Sequence, residues 1–190
     1  GIRQDIHDKF GSVITYRIAP AYVVWQTGTK IKATIGSGFK APSLFNLYDP
    51  AYGNPDLKPE QSLGIDAGFE QFFANDLITF GITYFQNNYR ELFGYNQNGK
   101  TINIKKAKIR GVETYLTAKP VNEFEIKMNY TYTNAKDESE GISDENRTLV
   151  RRPEHKIGSY FSYNFSPKIN ANAEVIYVGK RDDLIFDNIT

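Results

Sequence analysis

Two histidines are the side chains of this sequence best suited to acid–base chemistry or to binding a transition metal. They are His7 and His155, which lie far apart in the sequence, each near a polar stretch. A serine esterase would need its nucleophile in a recognisable turn, but the chain has no Gly-x-Ser-x-Gly sequence, and the stretch Gly36-Ser37-Gly38 does not replace it. The sequence therefore predicts two solvated histidines and a protein that is not an enzyme.

An acidic stretch, DESEGISDE at residues 137–145, could in principle bind Ca²⁺, which prefers several oxygen ligands. Its spacing does not match the common calcium loop. Gly141 lies one position too early for the required turn, and Thr148 occupies the position where a bidentate acid is needed. The chain has no cysteine, which excludes thiolate metal sites and disulfides. We therefore predict a solvated acidic loop, no metal site and no cofactor.

The composition of the 190-residue chain excludes several further classes of protein. Its 23 basic and 22 acidic residues give a net charge of +1, which offers no electrostatic reason to bind nucleic acid. Its apolar runs are far shorter than the roughly 20 residues of a membrane-spanning helix. A membrane β-barrel stays possible, because its strands show alternation rather than long apolar runs. The aromatic content of 14%, nearly all of it Tyr and Phe, suits the aromatic girdles of such a barrel.

Apolar and polar residues alternate along most of the chain, which is typical of β-strands with two different faces. The segment FEIKMNYTYT at residues 124–133 is the clearest case, and residues 63–71 and 169–177 repeat the pattern. Several segments reach the 9–11 residues that a tilted strand needs to cross a bilayer. The alternation predicts eight strands, near residues 12–24, 30–38, 62–72, 77–92, 102–118, 124–134, 151–165 and 169–178.

The connections between these segments alternate in length. Short turns are predicted near residues 26–29, 73–76, 119–123 and 166–168, and longer connections near residues 5–11, 40–61, 94–101 and 135–149. In an antiparallel meander, alternate connections lie at the same end of the sheet, so one end carries the turns and the other the loops. Outer-membrane barrels have this asymmetry. We therefore predict an all-β fold, an antiparallel up-and-down meander that is part of a large transmembrane β-barrel. The alternative is a soluble β-sandwich that binds carbohydrate or protein.

A barrel of this kind places its apolar strand face toward lipid and its polar face toward the lumen. The residues expected on the lipid side are Ile65, Phe69, Ile126, Met128, Tyr130, Ala171 and Val175. The residues expected on the lumen side are Arg17, Lys32, Asp66, Arg110, Glu113, Glu125, Lys127 and Asn172.

Six segments together resemble the TonB-dependent outer-membrane receptor family, and the nearest match is its cobalamin-receptor branch. They are HDKFGS at 7–12, TYRIAPAY at 15–22, GTKIKATIGSGFKAPSLFNLY at 28–48, GNPDLKPEQS at 53–62, KKAKIRGVE at 105–113 and LVRRPEHK at 149–156. The resemblance implies a bacterial outer-membrane receptor, with residues 1–190 forming part of the barrel domain and the plug domain and terminal strands lying outside this segment. Both ends of the sequence look internal, as expected for such a segment.

The resemblance also implies the partners of the protein. They are outer-membrane lipid, TonB (through an N-terminal region absent from this segment), and a small-molecule ligand, with cobalamin favoured over a ferric siderophore. The receptor would import this ligand with energy transduced by TonB, as a monomer that binds no nucleic acid. Haem receptors of the family carry a histidine ligand between motifs like Phe39-Lys40-Ala41-Pro42 and Asn54-Pro55-Asp56-Leu57. No histidine lies between these motifs here, which argues against haem.

The long connection at residues 40–61 is the candidate ligand-binding element. Four prolines fix its backbone and prevent it from extending a strand ladder, and Gly53-Asn54-Pro55-Asp56 is expected to form a tight turn. Tyr48 and Tyr52 offer flat rings with a polar tip, and Asp49 could accept hydrogen bonds from the amides of a corrin ligand. The alternative is a rigid rim whose aromatic side chains only pack the loop.

Overall fold

The computed structural model describes residues 1–74, 77–142 and 147–183. Nearly all regular structure is antiparallel β, and none of the helices among these residues is long and apolar enough to cross a membrane. The strands are β1 Ile2–His7, β2 Gly11–Ile18, β3 Ala21–Val24, β4 Thr29–Lys40, β5 Glu60–Phe73, β6 Ile78–Tyr95, β7 Thr101–Val121, β8 Phe124–Asp137, β9 His155–Ser166 and β10 Ile169–Val178, with one short helix, α1 Leu44–Tyr48.

The strands form a single ten-stranded sheet in which sequential neighbours pair. The order is β1-β2-β4-β5-β6-β7-β8-β9-β10, and the short β3 pairs with β4 beside β2. This sequential order confirms the predicted meander. It leaves no place for the β-sandwich alternative within the described part of the chain, because all of its strands belong to one sheet.

The register confirms that the sheet has one apolar and one polar face. One cross-strand row runs Phe69, Ile82, Thr114, Tyr130 and Ile157, and residues two apart on a strand share its side. We call this side the apolar face. It carries all seven residues predicted for the lipid side: Ile65, Phe69, Ile126, Met128, Tyr130, Ala171 and Val175.

The opposite side, which we call the polar face, follows rows such as Lys30, Glu70, Gly81, Tyr115 and Asn129. The predicted lumen residues on this face are Arg17, Lys32, Asp66, Glu113, Glu125, Lys127 and Asn172.

The prediction for Arg110 was wrong. Arg110 pairs with Gln86 and Asn134, in the row that contains Ile65, and therefore lies on the apolar face. Alternation does not assign Arg110 to a face, because the stretch KKAKIR at residues 105–110 has charges at both odd and even positions.

The connections alternate between the two ends of the sheet as predicted. The β3–β4, β5–β6, β7–β8 and β9–β10 connections lie at the turn end, and the β1–β2, β4–β5, β6–β7 and β8–β9 connections lie at the loop end. The connection expected at residues 5–11 is shorter than predicted, because Ile2–His7 forms β1 and only residues 8–10 turn the chain. Gly11, at φ +74°, allows this tight turn.

Two predicted strands differ from the observed ones more than the others do. The strand expected at 12–24 is split into β2 and β3 at Pro20, which has no N–H for the ladder. The Pro20 carbonyl still accepts a hydrogen bond from the Ala33 N–H at 3.1 Å. The strand expected at 151–165 begins only at His155, just after Pro153 and the left-handed Arg151 (φ +60°).

The loop end holds the buried apolar side chains of the described chain. Leu92, Ala107, Ala135 and Leu149 form one cluster. Leu47 and Leu57, which belong to the 41–59 connection, are also buried. Elsewhere the sheet is one layer thick, so its faces stay exposed. Within the described chain, packing of buried apolar side chains therefore stabilises the loop end and not the rest of the sheet.

Candidate functional site

The connection at residues 41–59, which we call the proline loop, contains a helix that sequence reasoning missed. Ser43 caps α1: its Oγ accepts a hydrogen bond from the Asn46 N–H at 3.1 Å, and Asn46 Oδ1 accepts one from the Ser43 N–H at 3.1 Å. This reciprocal arrangement is a capping box. The signal in the sequence was Ser43 with an amide three residues later, in a stretch that we interpreted only as a loop.

The proline loop is tied to the neighbouring β6–β7 hairpin. The Thr101 N–H donates to the Tyr52 carbonyl at 2.8 Å, and Asn54 Nδ2 donates to the Thr101 carbonyl at 3.0 Å. Further along, the Asn103 side chain accepts from the Lys58 N–H at 2.9 Å and donates to the Lys58 carbonyl at 3.0 Å. These bonds fix the loop against the sheet.

The tight turn of the loop is displaced by one residue from its predicted position. It runs from Asn54 to Leu57, where the Leu57 N–H donates to the Asn54 carbonyl at 3.3 Å. Asn54 Oδ1 accepts from the Asp56 N–H at 3.1 Å, as in an Asx turn. Leu57 is only 2% exposed, so the turn is anchored by a buried side chain.

The three predicted site residues lie together at the end of α1 and just after it, but their side chains differ in exposure and in hydrogen bonding. Tyr48 is 61% exposed and Tyr52 is 38% exposed, so both rings can be reached from solution. The Asp49 Oδ1 atom already accepts hydrogen bonds from the N–H groups of Ala51 at 3.0 Å and Tyr52 at 2.8 Å. Asp49 therefore has a structural role in the turn, whatever else it contacts.

Leu44 and Phe45 add an apolar surface that sequence reasoning did not assign. Leu44 is 77% exposed, and more than half of Phe45 is exposed beside Tyr48. The helix presents these side chains outward while Leu47 anchors its other side. The proline loop thus carries an exposed apolar and aromatic patch on a hydrogen-bonded support.

The polar face below the proline loop carries an ion-pair network. Glu70 accepts from Lys32 Nζ at 2.7 Å and lies 3.1 Å from Lys30 Nζ. The Glu70 side chain is 12% exposed, and the two lysines are each 35% exposed. The network joins β4 to β5 across the sheet.

Replacing Glu70 with glutamine should lower the free energy of unfolding by about 1–2 kcal/mol, between the values for exposed and buried pairs. Two neighbouring lysines would lose their shared counter-charge, although solvent screens part of the effect. Thermal or denaturant unfolding of the complete receptor measures the change. Asp5→Asn, which breaks the exposed Arg3–Asp5 pair, is the control and should be nearly neutral. Equal effects of the two substitutions would contradict the assigned role of Glu70.

A groove of about 500 Å³ lies on the polar face next to this network. Its charged lining brings together four residues predicted for the lumen side, Arg17, Lys32, Asp66 and Glu113. Phe85 and Asn87 also line the groove; the cross-strand register places them there, and sequence reasoning missed them. Such a mixed surface can receive a polar protein segment of either charge.

Both histidines are exposed, as predicted. His155 lies on the apolar face, where its Nδ1 atom is 2.9 Å from the Tyr130 hydroxyl and its ring stacks on that of Tyr130. Among the described residues, no group of three His, Cys, Asp or Glu side chains is placed to hold a metal ion. Residues 143–146 of the acidic stretch lie outside the described residues.

Comparison with known proteins places this geometry in a family. The family model described as TonB dependent receptor-like, beta-barrel, matches residues 1–189. The vitamin B12 transporter BtuB of Vibrio cholerae is 32% identical over 190 residues, which cover 98% of this chain and 29% of that protein. An iron-regulated outer membrane virulence protein of the same species is 27% identical over 202 residues, covering 92% of this chain and 30% of that protein. The chain thus spans less than a third of the length of these relatives.

Solved structures share the fold. The ferric enterobactin receptor of Pseudomonas aeruginosa (PfeA, G324V mutant) superimposes with a TM-score of 0.76 over all of this chain and 31% of its own, at 22% identity. The siderophore receptor PirA of the same species gives 0.73 over 94% of this chain and 33% of its own, at 23% identity. The sequential antiparallel sheet, its lipid-type apolar face and the full-length family match agree: the chain belongs to the TonB-dependent receptor β-barrel family of the bacterial outer membrane.

Proposed function

We propose that the chain forms part of the barrel wall of a receptor that binds a scarce nutrient chelate, with cobalamin favoured, and imports it with energy transduced by TonB. The single observation that carries this proposal is the proline loop. Its exposed patch of Leu44, Phe45, Tyr48 and Tyr52 is held at the loop end by hydrogen bonds to a neighbouring hairpin.

The patch suits a large ligand with both flat and polar parts. Exposed aromatic rings bury much area with little loss of side-chain freedom, and the tyrosine hydroxyls can orient a polar ligand edge. Because the loop backbone is already bonded to the hairpin, little ordering is needed when a ligand binds. A rim that served only as packing would not need to expose these four side chains.

The polar face supports the second half of the proposal. A plug domain inside the barrel, outside this segment, would contact the groove lined by Arg17, Lys32, Asp66 and Glu113. Water or the plug can supply hydrogen bonds and counter-charges to the charged side chains of this groove. TonB would act on that plug, and the receptor would work as a monomer.

Cobalamin is favoured over a ferric siderophore because relatives named vitamin B12 transporters, from Vibrio cholerae and Photobacterium profundum, are 32% and 30% identical to this chain. The ferric siderophore alternative is kept because the fold matches siderophore receptors and one relative at 27% identity is iron-regulated. Titrating the complete purified receptor with cyanocobalamin and, separately, with ferric enterobactin tests the choice. We expect cyanocobalamin to bind with the lower Kd; tighter binding of ferric enterobactin would replace the favoured ligand by its alternative.

Replacing Tyr48 and Tyr52 together with alanine should weaken ligand binding about tenfold or more, on the order of 1–3 kcal/mol for two ring contacts. The melting temperature of the barrel should hardly change, since both side chains are exposed. Binding titrations and thermal unfolding of the complete receptor give the two quantities. Tyr22→Ala, which removes an exposed tyrosine near the turn end, is the matched control.

The opposite pattern would identify a packing rim: a lower melting temperature with unchanged binding per folded molecule. Asp49→Asn refines the test, because asparagine keeps the Oδ1 acceptor of the turn and removes only the charge. Weaker binding in this variant, with an unchanged melting temperature, would assign Asp49 to the ligand as well as to the turn.

A further inference from the structure

The apolar face has a well-defined upper border on β6, β7 and β8. Toward the loop end, its last apolar row on these strands is Tyr84, Val112 and Tyr132. The next outward positions on the same three strands are all polar or charged. The border therefore marks where the lipid-facing surface of these strands ends and their extension beyond the lipid core begins.

Basic residues dominate the positions directly beyond this border. Arg110 is the first outward residue after Val112 on β7, and Lys108 and Lys106 follow at intervals of two, roughly 7 Å apart along the strand. The first eight outward positions beyond the border, as far as the Arg90–Lys106 pair, are five cations (Arg90, Lys106, Lys108, Arg110 and Lys136) and three amides (Gln86, Asn88 and Asn134). No acid occupies any of them, although acidic and basic residues are almost equal in number in the whole chain.

Local contacts neutralise only part of this charge. Lys108 pairs with Glu138 at 2.9 Å, and Lys136 Nζ donates to the Thr148 hydroxyl at 2.8 Å. The three others, Arg90, Lys106 and Arg110, are exposed, and the described part of the chain gives them no ion pair. Their charges are therefore available to an outside partner.

A groove at the outer end of the patch shares Arg90 and Lys106 with it. It has a volume of about 510 Å³ and is lined by Lys58, Pro59, Gln61, Arg90, Glu91, Lys105 and Lys106. Four of these seven side chains are cationic and one is acidic. The Glu91 Oε1 atom lies 3.9 Å from Lys58 Nζ. Because this one carboxylate offsets one of the four cations, the groove keeps an excess of positive charge.

We propose that Arg90, Lys106 and Arg110, supported by Lys108 and Lys136, form a docking site for phosphate-bearing lipid headgroups at the outer surface of the barrel. Cationic side chains beside a membrane attract anionic headgroups, and arginine binds phosphate through paired N–H donors. The amides interspersed among them can donate further hydrogen bonds to sugar or phosphate oxygens.

The position of the patch argues for a lipid rather than a soluble anion. The patch continues the apolar face on the same strands, so acyl chains lying on Val112 and Leu116 would place their headgroup at Arg110. From Arg110 to Lys106 the patch extends about 13 Å along β7, or about 10 Å in height for a strand tilted by about 40°. That height is comparable with a headgroup layer of roughly 5–8 Å reached by long, flexible side chains.

The test compares lipid binding by the complete receptor and by its R90Q/K106Q/R110Q variant in neutral detergent micelles. The probe is bisphosphorylated lipid A, with dephosphorylated lipid A as the parallel probe. At about 1 kcal/mol, or about fivefold, per lost cation near a lipid surface, the triple variant should bind the phosphorylated probe about 100-fold more weakly. The dephosphorylated probe should bind both proteins weakly and equally.

Two further variants make the result specific. The K100Q/K168Q/K180Q variant loses the same number of exposed cations outside the patch and should bind the phosphorylated probe like the unaltered receptor. The R90K/R110K variant keeps the charge and should retain binding within a few fold. Thermal unfolding of every variant confirms that the barrel is intact.

Three outcomes would overturn the proposal. One is an equal loss of binding in the control triple variant, which would indicate a general charge effect. Another is equal affinity of the receptor for the phosphorylated and dephosphorylated probes. The third is displacement of the phosphorylated probe by an equal concentration of inorganic phosphate, which would indicate a site for a free anion.

Discussion

Replacing Met128 with arginine in the complete receptor should lower the free energy of unfolding by about 2–4 kcal/mol, the cost of a cation on the lipid side near the bilayer midplane. Met128 lies in the middle of the apolar face, between Leu116 and Ser159 in its cross-strand row. It is 42% exposed in the single sheet, so its side chain projects outward rather than into a protein core. Reversible unfolding in lipid vesicles measures the change.

Asn129→Arg is the matched control, because it adds the same guanidinium one residue away on the polar face. Asn129 is exposed and pairs with Tyr115 and Gly158. A polar, wet lumen should accept the charge at little cost. If the two arginine variants unfolded at the same denaturant concentration, the assignment of the apolar face to lipid would be wrong.

Replacing Gly111 with alanine should destabilise the barrel by about 3 kcal/mol, at the upper end of the usual cost of overpacking. Gly111 lies opposite Phe85 on β6, and the Phe85 ring lies across the space where a Cβ would be, 2.7 Å from its Cζ atom. The added methyl would also meet the Tyr132 backbone carbonyl of β8. A ring can rotate away, but a strand carbonyl cannot move without breaking the ladder.

Gly64→Ala separates this effect from the general loss of a glycine. A Cβ at Gly64 would lie 2.6 Å from the Oδ1 atom of the Asn87 side chain, which can change rotamer, and the nearest backbone atom given, the Gly36 carbonyl oxygen, is at an ordinary contact distance of 3.9 Å. We therefore expect Gly64→Ala to be tolerated far better than Gly111→Ala in thermal unfolding. Equal melting temperatures for the two variants would show that close packing at Gly111 is not required.

The sequence predicted the central and later strands well, and the reason is physical. Residues 124–133 alternate strictly because each strand there contacts lipid on one side and a polar lumen on the other. That pattern indicates both where the strand lies and which of its side chains face lipid. The predictions at 77–92, 102–118 and 169–178 located β6, β7 and β10. β6 extends three residues beyond its predicted C-terminal end, and β7 is longer than predicted at both ends.

Alternation failed where a strand lies beyond the lipid belt or has charges on both sides. In β1, three of six residues are charged or histidine, and Ile2 and Ile6 are the only apolar positions, so its strand signal was weak. Arg110 was assigned to the wrong face because periodicity is lost once neither side of the strand contacts lipid. The basic patch could be found only from cross-strand register, which depends on long-range pairing.

The candidate site was predicted in location but not in conformation. The prolines and tyrosines of residues 40–61 marked the loop, yet α1 and the shifted turn follow from side-chain caps at Ser43 and Asn54. Those caps act between residues two or three apart, and many loops contain the same residue types without forming them. Contacts with Thr101 and Asn103 then select this conformation, and nothing near residue 50 in the sequence indicates that partner.

The bonds between the proline loop and the β6–β7 hairpin have a kinetic consequence. A loop held at Tyr52, Asn54 and Lys58 by its neighbour cannot open and close as an independent lid. Capture of a ligand by this surface would then need no slow rearrangement, and encounter would be governed by diffusion and orientation. Receptors that differ in the side chains of this patch should therefore differ in how long the ligand stays rather than in how fast it arrives.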